Sequence, residues 1–274
     1  MKNLLHVGLD VGSTTVKIAV FDSNFNIIYT NYERHFSDTK NTVCKVLESL
    51  VEKFSDSDFT IALTGSGAMS AATFLDLPFI QEVIACKRAV EKYLPTTNVV
   101  IELGGEDAKI IYFGKSIEQR MNGTCAGGTG AFIDQMASLL NTDAAGLNEL
   151  AKNHKIIYPI ASRCGVFAKT DIQPLINEGA AKEDIAASIL QAVVNQTISG
   201  LACGRPIRGN IAFLGGPLNY LSELRTRFID TLKLSETQII VPEDAHLLVA
   251  KGAALDSLEM NPISAQKLKS KIEV

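Results

Sequence analysis

Residues 9–17, Leu-Asp-Val-Gly-Ser-Thr-Thr-Val-Lys, form a polar turn between two apolar runs, Leu4–Leu9 and Thr15–Phe21. This pattern predicts two antiparallel strands joined by a tight turn. Such a turn offers inward-pointing backbone N–H groups, short side chains and hydroxyls, which together suit a phosphate group. Taken alone, it is more often an ordinary hairpin. The predicted phosphate-binding residues are Gly12, Ser13, Thr14, Thr15 and Lys17, and the carboxylate of Asp10 is placed to hold Mg²⁺ through water.

The same strand–turn–strand pattern returns further along the chain. The apolar run Val99–Leu103 is followed by Gly104-Gly105-Glu106-Asp107 and then by Ala108–Phe113. A third turn, Gly215-Gly216-Pro217, follows the predicted strand Asn210–Leu214 and lets a flat group such as adenosine approach the backbone. The sequence contains neither a P-loop string nor Gly-x-Gly-x-x-Gly after a strand. Three glycine turns in this order, each at a strand end, predict a nucleotide site of another kind.

Predicted strands and amphipathic helices surround both strand–turn–strand patterns. We therefore predict an α/β protein with two lobes of related design that face a cleft. Residues 1–96 are predicted to form lobe I, completed by a C-terminal helix over 245–259. Residues 97–244 are predicted to form lobe II, and the polar, lysine-rich residues 260–274 a tail or linker.

Composition and charge indicate which partners and which cellular location to expect for this protein. The chain has 274 residues and a formal net charge of -4, with no basic excess that would indicate a nucleic-acid partner. No apolar run approaches a membrane span, and the N-terminal run is too short for a signal peptide. Five scattered cysteines argue against a disulfide framework. We expect a soluble, cytoplasmic protein that binds neither nucleic acid nor membrane.

One cysteine stands out, in the stretch Asn122–Phe132. Cys125 precedes a glycine-rich turn, and apolar residues at helical spacing follow at once. A thiol at the N-terminal end of a helix meets backbone N–H groups and the positive end of the helix dipole, which favour a reactive or metal-binding thiolate. The alternative is a glycine-rich helix entry with an idle buried cysteine, and this stretch alone leaves both interpretations open.

The turns and cysteine strings resemble those of the sugar kinase/heat-shock protein 70/actin superfamily. Within it they are most similar to the ATPase activators of 2-hydroxyacyl-CoA dehydratases, the BadF/BadG/BcrA/BcrD-type or CoA-substrate-specific enzyme activase family. The diagnostic strings are Gly104–Lys109, Asn122–Gly130 and Ser162–Lys169. The resemblance extends from Leu4 to Leu258. It implies a two-lobed actin-like ATPase fold with duplicated mixed sheet–helix lobes.

The sequence departs from that family at three positions. Glu102 stands where the family usually has Asp, while Asn219 and His246 stand where activators typically carry Gln. Glu102 and the Gly-Gly-Pro turn are more similar to the first domain of long multidomain activases than to the small stand-alone proteins.

The resemblance implies ATP and Mg²⁺ bound between the lobes. Asp10 and Glu102 would organise Mg²⁺ and water, and Asp107 or Glu106 would orient the attacking water. The other cofactor-binding residues implied are Gly104, Gly105, Lys109, Gly128, Gly215, Gly216, Pro217, Asn219 and His246.

A four-iron cluster takes four thiolates, and each chain offers two candidates, Cys125 and Cys164. Cys44 and Cys86 lie within predicted amphipathic helices and Cys203 near the end of another, and all three are best explained as buried, inert thiols. A twofold homodimer would bring four thiolates together, which agrees with the interface [4Fe–4S] cluster that the resemblance implies. Zn²⁺ held by the same thiolates is the alternative.

The implied partners are a CoA-thioester dehydratase or reductase and, as electron donor, a ferredoxin or flavodoxin. A cluster at an interface would be accessible to oxygen and would call for anaerobic handling. Two other functions stay open. One is a small-molecule (sugar-type) kinase of the same superfamily, which would have no use for the two cysteines. The other is a non-enzymatic actin-like or scaffold protein.

Overall fold

The computed structural model describes residues 3–123 and 127–273 of the chain. The chain divides into two units, one of Met1–Pro95 with Leu247–Val274 and one of Thr96–His246. The chain thus passes between units after Pro95 and after His246, whereas the predicted lobe boundaries lay after residues 96 and 244. Each unit is built on one five-stranded mixed sheet covered by helices.

The first unit begins with the strand pair expected around the first glycine turn. Its elements up to residue 95 are β1 (Asn3–Val11), β2 (Thr15–Phe21), β3 (Ile27–Arg34), α1 (Thr39–Lys53), β4 (Ser57–Thr64), α2 (Ala68–Leu75) and α3 (Glu82–Tyr93). β1 runs antiparallel to β2 and parallel to β4. The apolar stripe predicted for α1 is buried at Val43, Val46, Leu47, Leu50 and Val51.

The second unit carries the other two glycine turns. Its elements are β5 (Val99–Leu103), β6 (Ala108–Tyr112), β7 (Glu118–Met121), α4 (Gly130–Leu139), α5 (Ala144–Ala151), α6 (Gly165–Asn177), α7 (Lys182–Asn195), a π-helical turn (Gln196–Leu201), β8 (Ile211–Leu214), α8 (Gly216–Tyr220), α9 (Ser222–Leu232) and β9 (Ile239–Ile240). The strand order is β7-β6-β5-β8-β9. β5 is buried along its whole length, because α-helices pack on the sheet and close a core that includes Ile101, Phe213 and Phe228.

The chain then returns to the first unit and completes it. A short 3₁₀ turn (Ala245–Leu247) leads into α10 (Leu248–Asp256), which packs against β1 and α3. β10 (Ile263–Ser264) and α11 (Ala265–Ile272) follow. The predicted tail over residues 260–274 is therefore corrected: β10 pairs with the edge of β4, and α11 buries Ala265, Leu268 and Ile272 against the first unit. The lysines that made this segment look like a linker occupy the other face of an amphipathic helix.

Helix α6 also differs from its prediction. The sequence indicated a short helix over Asp171–Gly179, yet α6 starts at Gly165, directly after Cys164, which is its N-cap residue. The predicted long helix Glu183–Leu201 changes to π-helical geometry at Gln196. Among the described residues, no helix has both the length and the apolar character needed to cross a membrane.

Candidate functional site

The first glycine turn joins β1 to β2 as a tight, hydrogen-bonded loop. Gly12 donates its N–H to the Thr15 carbonyl at 2.9 Å, and the turn places Asp10 opposite Lys17 across the strand pair. The Lys17 ammonium lies 2.7 Å from Oδ2 of Asp10, with only 14% and 3% of the two side chains exposed. The cation predicted for phosphate binding is thus ion-paired with the carboxylate predicted for Mg²⁺.

His35, which no sequence pattern marks as functional, attaches this turn to the end of β3. Its backbone N–H donates to the Thr14 carbonyl at 3.1 Å. Its ring Nδ1 accepts the Ser37 N–H at 3.1 Å, so the ring proton belongs on Nε2, which lies 3.2 Å from the Gly12 carbonyl. The ring is buried. His35 therefore hydrogen-bonds two carbonyl groups of the turn, those of Gly12 and Thr14.

The second glycine turn, residues 104–107, has the same construction in the second unit. Gly104 donates its N–H to the Asp107 carbonyl at 2.7 Å. Glu102 pairs with Lys109 in the register of β5 and β6, and both are buried. Oε2 of Glu102 has no hydrogen-bond partner within the described residues. A buried carboxylate oxygen of this kind fits a divalent cation or its bound water, because it is otherwise left unsatisfied.

The start of α4 is bonded to this second turn. Gly130 donates its N–H to the Gly104 carbonyl at 3.0 Å, and Ala131 donates to the Gly105 carbonyl at 2.7 Å. The sequence analysis expected the N–H groups at this helix start to face Cys125 and to favour its thiolate. Two of them instead hold the turn 104–107, because a helix leaves its first N–H groups without partners inside the helix.

Asn122, at the other end of the cysteine stretch, also holds this turn. Its Oδ1 accepts the Ala108 N–H at 2.8 Å, and its Nδ2 donates to the Glu106 carbonyl at 3.0 Å. Its backbone N–H donates to the Ala108 carbonyl at 3.0 Å. The segment that contains Cys125 is consequently tied to the turn 104–107 before and after the cysteine.

Cys125 itself lies outside the described residues, whereas Gly127, two residues further along the chain, is described and packs closely against other backbone. A methyl group at position 127 would lie 2.6 Å from the Arg163 carbonyl oxygen and 3.0 Å from that of Ser162. Only a residue without a side chain allows two backbones to approach so closely. The two cysteine strings therefore meet within one unit, next to half-buried Cys164.

The other thiols differ from one another. Cys86 is buried and Cys44 is half-buried, where burial raises the pKa of the Cys44 thiol. Cys203 is exposed, so its prediction as a buried thiol is wrong; it lies beyond the π-helical turn, in a left-handed backbone conformation. The described residues contain no group of three or more His, Cys, Asp or Glu side chains that could hold a metal ion. Of the two cysteines predicted to bind a cluster, the structure describes Cys164 alone, and a four-thiolate site would need three further thiolates.

The third turn, residues 215–217, packs beside the second. Gly215 has φ +86°, and a methyl group there would lie 2.1 Å from the Leu103 carbonyl oxygen at the end of β5. A methyl group at Gly130 would lie 3.4 Å from both Gly105 and Pro217. The second turn, the start of α4 and the third turn therefore meet in one place.

The residues predicted at the adenosine end lie around α8. The rings of His246 and Tyr220 are tilted against each other with centroids 5.4 Å apart, and Tyr220 is 57% exposed. Asn219 is half-buried, and its carbonyl accepts a hydrogen bond from Arg225 at 2.9 Å. Tyr220 was not among the predicted site residues. Its position four residues after Gly216 could have indicated it, because an aromatic ring there can stack on a flat ligand. Gly128 lies against the side chain of Gln196, in the π-helical turn.

The predicted site residues thus form two groups, one in each unit. The first unit brings together Asp10, Gly12, Ser13, Thr14, Thr15 and Lys17. The second unit contains Glu102, Gly104, Gly105, Glu106, Asp107, Lys109, Gly128, Cys164, Gly215, Gly216, Pro217, Asn219 and His246.

Known proteins with similar sequences and structures share this arrangement of elements. The chain is 31% identical over 271 residues to the 2-hydroxyisocaproyl-CoA dehydratase activator of Clostridioides difficile, covering 96% of this chain and 98% of that protein. The crystal structure of (R)-2-hydroxyglutaryl-CoA dehydratase component A from Acidaminococcus fermentans superposes with a TM-score of 0.79 at 27% identity, covering 97% and 99% of the two chains. The Clostridium difficile activator with bound ADPNP gives a TM-score of 0.78 at 28% identity, covering 98% of each chain.

These likenesses confirm the predicted fold class, an α/β actin-like ATPase fold of the sugar kinase superfamily built on two mixed sheets. They also confirm the resemblance drawn from the glycine turns and cysteine strings. Residues 7–257 match the BadF/BadG/BcrA/BcrD ATPase family. The matched range includes the three glycine turns and both cysteine strings. The chain therefore belongs to the BadF/BadG/BcrA/BcrD ATPase family.

Proposed function

We propose that this protein is an ATP-driven activator that delivers a low-potential electron to a 2-hydroxyacyl-CoA dehydratase or a benzoyl-CoA-reductase-like enzyme. One observation carries the proposal: the Cys125 stretch is bonded at both ends to the turn 104–107, and Gly127 within it touches the backbone beside Cys164. Bonds between the turn proposed to bind phosphate and the residues on either side of Cys125 support a nucleotide that acts on the cysteines.

ATP and Mg²⁺ are the proposed ligands of the glycine turns. Gly12, Ser13, Thr14 and Thr15 bind phosphate oxygens through backbone N–H and hydroxyl groups, and the turn 104–107 does so in the second unit. The unpartnered Oε2 of Glu102 supports a role in holding Mg²⁺ or its water. Asp10, fixed by Lys17, would take the corresponding role in the first unit, and Asp107 or Glu106 would orient the attacking water.

Adenosine binding is proposed at the third turn. Gly215, Gly216 and Pro217 present bare backbone, while Asn219 and the Tyr220–His246 pair supply a polar group and an aromatic surface nearby. The relative with bound ADPNP supports a nucleotide at this kind of fold.

Cys125 and Cys164 are the proposed ligands of a [4Fe–4S] cluster shared by two copies of the chain. When bound, such a cluster supplies a one-electron carrier of low potential. Two thiols per chain fit half of a four-thiolate site, so the symmetric partner would supply the other half. Val166 and Phe167, in the first turn of α6 next to Cys164, are 67% and 63% exposed, as expected for apolar side chains that a second copy covers.

The proposed partners follow from the names of the relatives. Those relatives activate dehydratases of CoA thioesters, and we infer a partner of the same class here. A ferredoxin or flavodoxin would supply the electron. ATP hydrolysis would make the transfer one-directional, because the two nucleotide states would favour different conformations of the Cys125 stretch.

Metal analysis after anaerobic purification tests this proposal. We expect a brown dimer with about four irons per two chains. Cys125→Ser and Cys164→Ser should each lose iron while ATP binding persists, whereas Cys44→Ser, the matched control in α1, should keep its iron. A colourless monomer that phosphorylates a sugar would instead identify a kinase, and zinc in place of iron would identify a structural metal site.

A further inference from the structure

A fourth glycine turn, Thr64-Gly65-Ser66-Gly67, follows β4 and packs against the first glycine turn. Gly67 donates its N–H to the Val11 carbonyl at 2.8 Å. Gly65 has φ +102°, and a methyl group there would lie 2.4 Å from the Val11 carbonyl oxygen and 2.5 Å from Oδ1 of Asp10. Because Gly65 carries no side chain, this turn can approach the Asp10 carboxylate directly.

Thr64 is aligned with Asp10 in the sheet of the first unit. The register pairs Asp10 with Lys17 on β2 and with Thr64 on β4. Paired residues on neighbouring strands point to the same face of a sheet, so the three side chains form one row with Asp10 in the middle. Lys17 holds Oδ2 of Asp10, and the turn that begins at Thr64 lies against Oδ1. The two oxygens of the carboxylate thus face different neighbours.

The hydroxyl of Thr64 is buried and has no hydrogen-bond partner among residues 3–123 and 127–273. The side chain is 0% exposed, so bulk water does not supply a partner. A polar group left in this state costs stability, and a bound water or ion is a common reason for its presence in a native structure. The hydroxyl therefore indicates a ligand beside Asp10.

Thr60 lies four residues earlier on the same face of β4 and provides the contrast. It is also buried, but its hydroxyl lies 2.7 Å from Nδ1 of His6 and 3.0 Å from the Ser257 hydroxyl. Thr60 thus has its partners within the folded chain. Thr64 shares its residue type, strand, face and burial, and differs in lacking such a partner and in lying beside Asp10.

We propose that Thr64 is a positioning residue for the magnesium water that Asp10 holds. Mg²⁺ keeps several of its waters when it binds to a protein, and each of them has two protons to donate. Oδ1 of Asp10 accepts one proton of such a water, and the Thr64 hydroxyl accepts the other. Thr64 thereby fixes the direction of the water and strengthens the hold of the first unit on the cation. The inference rests on the proposed function for its nucleotide and its Mg²⁺.

The test uses the full chain and measures how much Mg²⁺ contributes to nucleotide binding, which requires no hydrolysis. The Kd of ADPNP is measured by calorimetry in EDTA and in excess Mg²⁺, and the ratio of the two values reports the cation. Thr64→Val removes the hydroxyl and keeps the shape, and Thr64→Ala takes its place if the valine variant fails to fold. Thr64→Ser keeps a hydroxyl. Thr60→Val is the matched control on the same strand.

We expect Mg²⁺ to lower the Kd of ADPNP for the wild type. In Thr64→Val the ratio should fall by a factor of about three to ten through loss of one hydrogen bond, while the Kd in EDTA stays unchanged. Thr64→Ser and Thr60→Val should keep the wild-type ratio. In metal-free protein the urea midpoint of Thr64→Val should equal or exceed that of the wild type, because no bond is lost, whereas that of Thr60→Val should fall.

Several results would overturn the inference. If the wild type binds ADPNP equally well with and without Mg²⁺, or if Thr64→Val keeps the wild-type ratio, Thr64 does not act on the cation and nucleotide binding still stands. If the ratio falls as far in Thr64→Ser or in Thr60→Val as in Thr64→Val, the effect comes from altered packing of β4 and not from the Thr64 hydroxyl. If the wild type binds no nucleotide, the proposed function fails first and the inference fails with it.

Discussion

The Nζ atom of Lys17 lies 2.7 Å from Oδ2 of Asp10, and the pair spans the two strands that lead into and out of the first glycine turn. Both side chains are largely buried, so each charge depends on the other for compensation. The pair therefore fixes the base of the turn before any nucleotide binds. Residues selected by sequence for phosphate and for Mg²⁺ turn out to be partners of one another.

Replacement of Lys17 by methionine should destabilise the first unit. The change leaves the carboxylate of Asp10, 3% exposed, without its cation. We expect the free energy of unfolding to fall by about 3 kcal/mol, as for other broken buried pairs. The measurement is urea denaturation. Asp10→Asn combined with Lys17→Met should recover much of the loss, and a double variant as unstable as Lys17→Met would contradict this view of the pair.

Replacement of His35 by alanine should weaken nucleotide binding. His35 holds the carbonyls of Gly12 and Thr14, which keeps the following N–H groups aimed outward. Loss of the ring removes the bond to Gly12, so we expect the Kd of ATP to rise between about threefold and tenfold. Calorimetric titration measures it. His154→Ala is the control, because the His154 ring lies in the second unit, with Nδ1 2.7 Å from the nearby Ala151 carbonyl oxygen. Equal affinities for the two variants would refute the role of His35.

The positions of the glycine turns could be predicted from the sequence because a glycine turn at the end of an apolar run is a local signal. The residues that hold those turns could not. His35 and Asn122 act through contacts 23 and 16 residues away along the chain, and nothing in their immediate neighbours marks them. Sequence patterns report what a segment prefers, whereas these contacts depend on how strands are paired.

The prediction for the C-terminal segment was wrong for a different reason. Polar, lysine-rich composition indicated a tail, yet Leu268 and Ile272 lie on one face of α11 and are buried. Two apolar positions four residues apart are a weak signal until a complementary surface, here α1 and β4, is known.

Glu102→Gln should change stability and activity in opposite directions. Oε2 of Glu102 is buried without a partner among the described residues, so removing its charge should stabilise the metal-free protein by about 1 kcal/mol. If the same oxygen holds Mg²⁺ or its water, kcat for ATP hydrolysis should fall about 100-fold or more. Thermal unfolding in EDTA and steady-state ATPase assays with Mg²⁺ measure the two effects. A variant that is less stable and still active would show that Glu102 is structural.

Stability should decline in mild acid partly because of His6. Burial lowers the pKa of the His6 imidazole, whose Nδ1 lies 2.7 Å from the Thr60 hydroxyl. Below the ordinary value of 6.5 the unfolded chain takes up the proton more readily than the folded chain, so the free energy of unfolding decreases as the pH falls from about 6.5 toward the lowered value. Urea midpoints of the wild type and His6→Gln between pH 8 and about pH 5 test this. Parallel profiles for the two proteins would exclude His6 as a source of the decline.

Gly127→Ala should separate the two cysteine strings without disturbing nucleotide binding. An added methyl group would meet the Arg163 carbonyl oxygen at 2.6 Å, and backbone atoms on both sides leave little room to relax, which typically costs about 1–3 kcal/mol. Gly123→Ala is a matched control in the same stretch, because a methyl group at position 123 meets nothing within 4 Å among the described residues. After anaerobic purification, Gly127→Ala should lose most of its iron and Gly123→Ala should keep it, while both bind ATP like the wild type. A loss of ATP binding with iron retained would mean that the contact of Gly127 with the Ser162 and Arg163 backbone serves the nucleotide rather than the cysteines.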